Sequence, residues 1–182
     1  KAYVEAGKLA KGSVTEVSIE HEGKPFGAYL HLPPGEGPFP VLVMSNGSDM
    51  AKETMFVYYL KHLEPKGIAM VTLDTPGMGD SRNFDITDGV TDKLHIAAAD
   101  WARTQPKLDG KNIFVQGVSF GGNAAMRAWL ANSDKVAGVI HGCGPLNKAF
   151  FAPPKAIEGL PKFTIDGIKV RLGLDPSVSS EE

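Results

Sequence analysis

Apolar and polar positions follow two different patterns along this chain. Val14 to Ile19 alternates apolar with polar, and Phe26 to Leu32 follows after Glu22-Gly23-Lys24, which predicts an antiparallel hairpin ending before Pro33-Pro34-Gly35. The pattern then changes. Val41-Leu42-Val43-Met44, Ile68-Ala69-Met70-Val71 and Ile113-Phe114-Val115 are continuous apolar runs, with a fourth from Val136 to Ile140, and segments of helical period lie near 51–64 and 88–104. Strands that are apolar on both faces and alternate with helices predict an α/β, doubly wound, mostly parallel sheet covered on both sides. Pro153-Pro154 breaks the alternation, and 161–172 reads as a further helix stopped by Gly173.

Between the third apolar run and the helix-forming stretch after it stands Gly117-Val118-Ser119-Phe120-Gly121. A serine flanked by glycines at a strand-to-helix turn makes a nucleophile elbow, a bend so tight that side chains at the flanking positions would collide with backbone. Gly117 and Gly121 remove that collision, and Gly122 lets the helix approach the sheet. Ser119 is the candidate nucleophile, and the N–H of Phe120 faces the place where a substrate carbonyl oxygen would become negative. The structural alternative is an ordinary glycine turn.

A second oxyanion donor belongs beyond the carboxyl end of a neighbouring strand, where open α/β sheets bind ligands. Ser45-Asn46-Gly47-Ser48-Asp49 follows the first parallel run, with the N–H of Ser48 as the candidate donor. Asn46 and Asp49, with His141 further along the chain, are auxiliary or substrate-contacting candidates, and the plain alternative for Ser48 or Asp49 is to cap a helix starting near Ala51. Asp74 to Ser81 follows the next run and is rich in turn formers. No Gly-x-x-x-x-Gly-Lys-Ser/Thr and no Gly-x-Gly-x-x-Gly accompanies it, so phosphate-loop and dinucleotide readings fall, leaving an active-site rim loop or a sharp turn, with the structural role favoured. Of the five histidines only His141 follows Ser119, at the end of the very next strand, where a triad base is not expected. Asp134, Asp166 and Asp175 lie downstream, yet none follows an apolar strand. Cys143 reads as a small buried residue.

Composition adds bounds. The 182 residues are 42% hydrophobic with a formal charge of −2, enough for one soluble domain with a sizeable core. Lys and Arg are scattered without an aromatic-basic stripe, so nucleic acid is not an expected partner. No apolar run reaches the roughly 20 residues that span a bilayer, so no membrane partner is expected either. No ligand cluster suggests a metal, and no motif a cofactor. The single cysteine and the absence of a signal-peptide core lead to a cytoplasmic expectation. The oligomeric state, a homo-oligomer included, stays open.

Pro40 to Asp49, Asp74 to Ser81, Gly117 to Asn123 and Pro161-Lys162 through Arg171-Leu172-Gly173 together resemble the fermentation/respiration switch protein family of α/β-hydrolases, over about residues 13–176. The family's Gly-x-x-Phe-Gly-Gly-Asn motif is matched by Gly117, Phe120, Gly121, Gly122 and Asn123. More loosely, the chain is similar to the dihydroxypseudooxynicotine hydrolase group, whose members carry an acidic residue at the position of Asp49. The resemblance implies an α/β-hydrolase core with the hairpin at 13–32, the parallel core at 40–141 and the start of a cap region at 142–176. It implies a serine esterase acting on a small acyl substrate, preceded by a helical segment and followed by a portion holding the acid and the histidine. Some relatives lack the serine and partner a sugar phosphotransferase subunit, so a regulatory binding protein is the rival expectation, and a carbon-carbon hydrolase or decarboxylase using Asp49 a third. The sheet is expected to be incomplete on its C-terminal side, with the strand at 136–140 left at an edge. Phe150-Phe151 and Pro153-Pro154 are expected in a cap over an apolar pocket.

Overall fold

A computed structural model of the chain describes residues 2–86, 89, 91–146, 153–171, 174, 175 and 177. Strands β1 (Ser13–His21) and β2 (Lys24–Leu32) pair antiparallel across Glu22 and Gly23, at φ 50 and 77. Two successive left-handed residues match the right-handed twist of the flanking strands, which is why this short turn closes the hairpin. β2 continues antiparallel onto β4 (Ala69–Leu73). From there β4, β3 (Phe39–Ser45), β5 (Leu108–Val118) and β6 (Gly138–Gly142) run parallel, giving one sheet in the order β1-β2-β4-β3-β5-β6. The mostly parallel sheet with an N-terminal hairpin agrees with the sequence expectation.

Side chains along a strand alternate between faces, and each face here has its own core. Val41 and Val43 of β3 join Val71, Ile113 and Val115 beneath α3 (Lys93–Arg103) and α4 (Phe120–Ala131), which bring Leu94, Ala98, Ala125 and Ala128. Leu42 and Met44 point the other way, onto Tyr59, Leu63 and Met70. That second cover is less regular than a single helix over 51–64. A 3-10 turn (Lys52–Met55), α2 (Phe56–Tyr58), a π turn (Tyr59–Leu63) and a second 3-10 turn (Glu64–Lys66) follow one another, with Tyr59 of the widened turn fully buried. Pro65 stands at the start of the last turn, where its missing N–H costs nothing, and Gly67 at φ 67 ends the run. α3 starts at Lys93 rather than 88, because Gly89 at φ 68 is incompatible with a right-handed helix. α1 (Ala2–Gly7), α5 (Pro154–Glu158) and α6 (Lys162–Arg171) complete the described elements. Gly173 lies outside the described residues.

β6 is the sheet edge opposite β1, two residues later than the apolar run suggested, and Ile140 stands 48% exposed beside a partly covered Phe114. An uncovered apolar edge is a pairing template, so this is the side on which the core is open among the described residues.

Two buried histidines make the fold acid-sensitive. His31 accepts a hydrogen bond from the Tyr3 hydroxyl (2.7 Å) on Nε2 and donates from Nδ1 to the Met70 carbonyl (3.2 Å), a neutral imidazole. Burial lowers its pKa from 6.5 to about 4. His95, on the inner face of α3, is lowered by burial to about 4 as well. Between pH 6.5 and 4 the unfolded chain binds a proton at each site that the folded chain refuses. Stability present above pH 6.5 is therefore lost as pH falls toward 4, at up to about 1.4 kcal/mol per pH unit for each histidine. Urea unfolding between pH 7 and 4.5 is expected to show this slope, and His95→Leu to remove about half of it.

Candidate active site

Ser119 occupies the one position between the end of β5 and the start of α4, at φ 54 and ψ −125. A non-glycine residue in that region is strained by roughly 1–3 kcal/mol and persists only where its surroundings hold it. Here the holders are two hydrogen bonds. The Ser119 N–H donates to the Gly142 carbonyl at the end of β6 (2.8 Å), and the Gly122 N–H donates to the Ser119 carbonyl (2.9 Å). The Ser119 hydroxyl makes no cap to the helix and no hydrogen bond to any described residue, and the residue is partly exposed.

The flanking glycines are demanded by contact. A Cβ on Gly117 would overlap the Gly121 carbonyl, and one on Gly121 would overlap the Asn46 carbonyl and come within 2.6 Å of the Ser45 hydroxyl. Small residues thus let α4 fold back on β5 and let its first turn touch the end of β3. Gly122 lies against Gly144, whose Cα would be 3.1 Å from an added methyl.

The loop after β3 reaches the serine. At Gly47 the place a Cβ would take is 2.8 Å from the Ser119 Cβ, 3.2 Å from its Oγ and 3.2 Å from the Asp49 Oδ1. The hydroxyl and the carboxylate therefore flank one point, above a backbone with no side chain of its own. Ser48 is half-buried and Asp49 exposed. The Ser48 carbonyl lies 3.7 Å from where a Cβ of Gly167 would stand, so α6 borders the loop. Asn46 is buried and turned inward, its amide donating to the Ala51 carbonyl (2.8 Å) and to the Thr54 hydroxyl (2.9 Å).

Neither Ser48 nor Asp49 caps a helix. Ala51 precedes the 3-10 turn with no side-chain cap, because the first N–H of that turn, on Lys52, donates to the Asp74 carboxylate (2.9 Å) at the end of β4. The Lys52 ammonium also reaches Asp74 (2.8 Å) and Asp80 (2.6 Å), and lies 5.2 Å from the centre of the Tyr29 ring. Burial alone would lower the pKa of Lys52. The two aspartates outweigh it and hold the ammonium above its ordinary range. Asp74 takes a third bond from the Asp80 N–H (3.1 Å), which ties the turn-rich 74–81 segment back onto the end of β4. Sequence reading passed over Lys52 and Thr54, since a lone lysine ordinarily means a solvated face.

His141 comes within the same neighbourhood but forms no hydrogen bond with Ser119. A Cβ on Gly144 would stand 2.8 Å from the His141 Nε2 and 2.6 Å from the Ser119 carbonyl oxygen. That Nε2 is buried without a partner among the described residues. Cys143 is exposed, at φ 46, contrary to the expectation of a buried residue, because the loop leaving an edge strand has no covering layer among the described residues. Asp134 is exposed between α4 and β6, Asp166 pairs with Lys162 on α6, and Asp175 accepts from Ser177. Phe150 and Phe151 lie outside the described residues. No metal-ligating cluster, and no helix long and apolar enough to cross a membrane, exists among the described residues.

Comparison with known proteins bears on this geometry. A model of the Esterase FrsA-like family matches residues 1–181. Esterase FrsA of Photobacterium profundum is 29% identical over 173 residues, covering 95% of this chain and 41% of that protein. Its namesake from Salmonella paratyphi B is 31% identical over 176 residues, covering 96% and 42%. Among solved structures, a 2,6-dihydroxy-pseudo-oxynicotine hydrolase aligns at TM-score 0.79 with 24% identity over 98% of this chain and 48% of its own. A hyperthermophilic esterase from the archaeon Pyrobaculum calidifontis aligns at 0.62 with 21% identity, over 80% and 49%. The fold is that of the α/β-hydrolases. The chain spans about two fifths of the length of these curated relatives. On the match along nearly all of its length, the chain belongs to the FrsA-like esterase family.

Proposed function

We propose that this chain forms the nucleophile half of a serine esterase active site. Ser119 attacks the carbonyl carbon of a carboxylic ester, the alcohol leaves, and water then releases the acid from the acyl-serine. The backbone N–H groups of Phe120 and Ser48 receive the oxyanion, each donor contributing roughly 3 kcal/mol of barrier lowering. The acid and the histidine of the triad come from the part of the protein that these residues do not span. The observation that carries the reading is the strained Ser119, φ 54, with its Oγ 3.2 Å from the Cβ position of Gly47 in a loop from another strand. An ordinary glycine turn has no need to hold a serine in a left-handed conformation against a second loop. Fluorophosphonate labelling and nitrophenyl ester turnover by the complete protein test it. A serine adduct at Ser119 is expected, and its absence, with no ester turnover, favours the regulatory binding protein.

Asp49 supports a second reading. Its carboxylate stands beside the same point as the serine hydroxyl, where it can steer a polar substrate or move a proton during carbon-carbon cleavage. Comparing β-keto compounds with simple esters separates the two chemistries.

Gly47→Ala provides a sharper check. The new methyl must displace either the serine or the loop, and misplacement of reacting groups by about 1 Å costs roughly 10²-fold. Turnover is expected to fall by about that factor with the melting temperature little changed. Unaltered turnover would mean that the loop does not face the reaction.

A further inference from the structure

Lys52 is the first residue after the loop that carries Ser48, and both of its polar ends are used on one wall. Its backbone N–H and its ammonium bind the two oxygens of the Asp74 carboxylate, at 2.9 and 2.8 Å, and the ammonium extends to Asp80 at 2.6 Å. Side chains of Lys52 and Asp74 are 3% and 1% exposed. A six-membered stretch from Asn46 to Ala51 is closed at its base from the other side. The Asn46 amide holds the Ala51 carbonyl and the Thr54 hydroxyl, and that hydroxyl itself donates to the Ala51 carbonyl (2.8 Å). Between these two clamps, Gly47 stands against Ser119, and the Ser48 hydroxyl makes no hydrogen bond among the described residues. Burying a lysine this deeply is costly unless its charge is paired, and the pairing with Asp74 and Asp80 fixes the residue that ends the loop in one geometry.

We propose that Lys52, through Asp74 and Asp80, is a positioning residue for the oxyanion loop: it fixes the direction of the Ser48 N–H without touching substrate. Donors aimed at a developing charge are effective only when held in place before the charge appears. This rests on the esterase reading, and the test separates the two.

The complete protein is assayed on a nitrophenyl ester and on its thiono analogue, in which sulfur replaces the carbonyl oxygen, with rates normalised to the serine titrated by a fluorophosphonate. Sulfur is larger and a weaker acceptor, so the preference for oxygen over sulfur reports on the oxyanion donors. Lys52→Met, Asp80→Asn and Thr54→Ala are compared. The last two remove groups on half-exposed or exposed residues, and so keep the test open if Lys52→Met folds poorly. In each variant kcat on the ester is expected to fall about 10-fold with KM within about twofold, while the thionoester rate falls less, so that the oxygen preference narrows at least about threefold. Equal losses on both substrates, or an unchanged preference, overturn the proposal and leave Lys52 a structural residue. Absence of Ser119-dependent turnover in the unmodified protein overturns the esterase reading and this inference with it.

Discussion

Ser119→Ala in the complete protein is expected to lower ester turnover by roughly 10⁴-fold to 10⁶-fold, the loss seen when a triad nucleophile is removed. The size follows from the chemistry: without the hydroxyl no acyl-enzyme forms, and only binding and the oxyanion donors remain. Affinity for a non-reacting ester analogue is expected to change little, because the missing atom contributes to attack rather than to binding. Retention of turnover within tenfold would show that the elbow is vestigial. A companion variant separates strain from chemistry. Ser119→Gly removes the same hydroxyl and also relieves a backbone at φ 54, so it is expected to be inactive yet more stable than the alanine variant by about 1 kcal/mol in urea unfolding.

The largest stability effect is expected at Lys52→Met. Methionine fills similar volume but leaves Asp74, 1% exposed, with a buried charge and no cation. Breaking a buried pair in this way costs about 3–5 kcal/mol, well above the typical 1 kcal/mol of a point substitution. Thermal melting and urea titration read it directly. Pairing the change with Asp74→Leu is expected to recover much of the loss, since two apolar residues carry no desolvation penalty, although the Lys52 and Asp80 N–H groups then lose an acceptor. A loss below 1 kcal/mol in the single variant would mean that water or another cation reaches Asp74.

Local features were legible from residue order because their causes are local. The hairpin turn needs two left-handed residues, and Glu22-Gly23 supplies them. The elbow needs space on either side of the serine, and Gly117 and Gly121 leave it. Apolar runs placed β3, β4 and β6 to within two residues but caught only the middle of β5, whose polar opening Asp109-Gly110-Lys111-Asn112 hides its first half; at β6, Val136 is still buried ahead of the strand proper. The 51–64 segment showed helical period but not its broken winding, since both π and 3-10 turns keep the same apolar side inward. Cys143 was misjudged because residue type was weighed ahead of place: the strand before it was already expected at an edge, and the exposed cysteine stands just beyond that edge. Lys52 and Thr54 escaped notice because burial of a lysine depends on which carboxylates the sheet order brings beside it.

Residue order alone therefore determined the α/β class, the mostly parallel strands, the family and the cramped serine, each a matter of neighbours along the chain. Which loop faces that serine was decided only by the tertiary fold. Gly47 and Ser119 are distant in sequence, and they meet because β3 and β5 run parallel as neighbours and so end at the same rim. The same strand order, with β4 on the other side of β3, sets Asp74 under Lys52 and converts a surface-type residue into a buried clamp. Long-range pairing is a property of the assembled sheet, where burial and charge are set by contacts that no local pattern encodes.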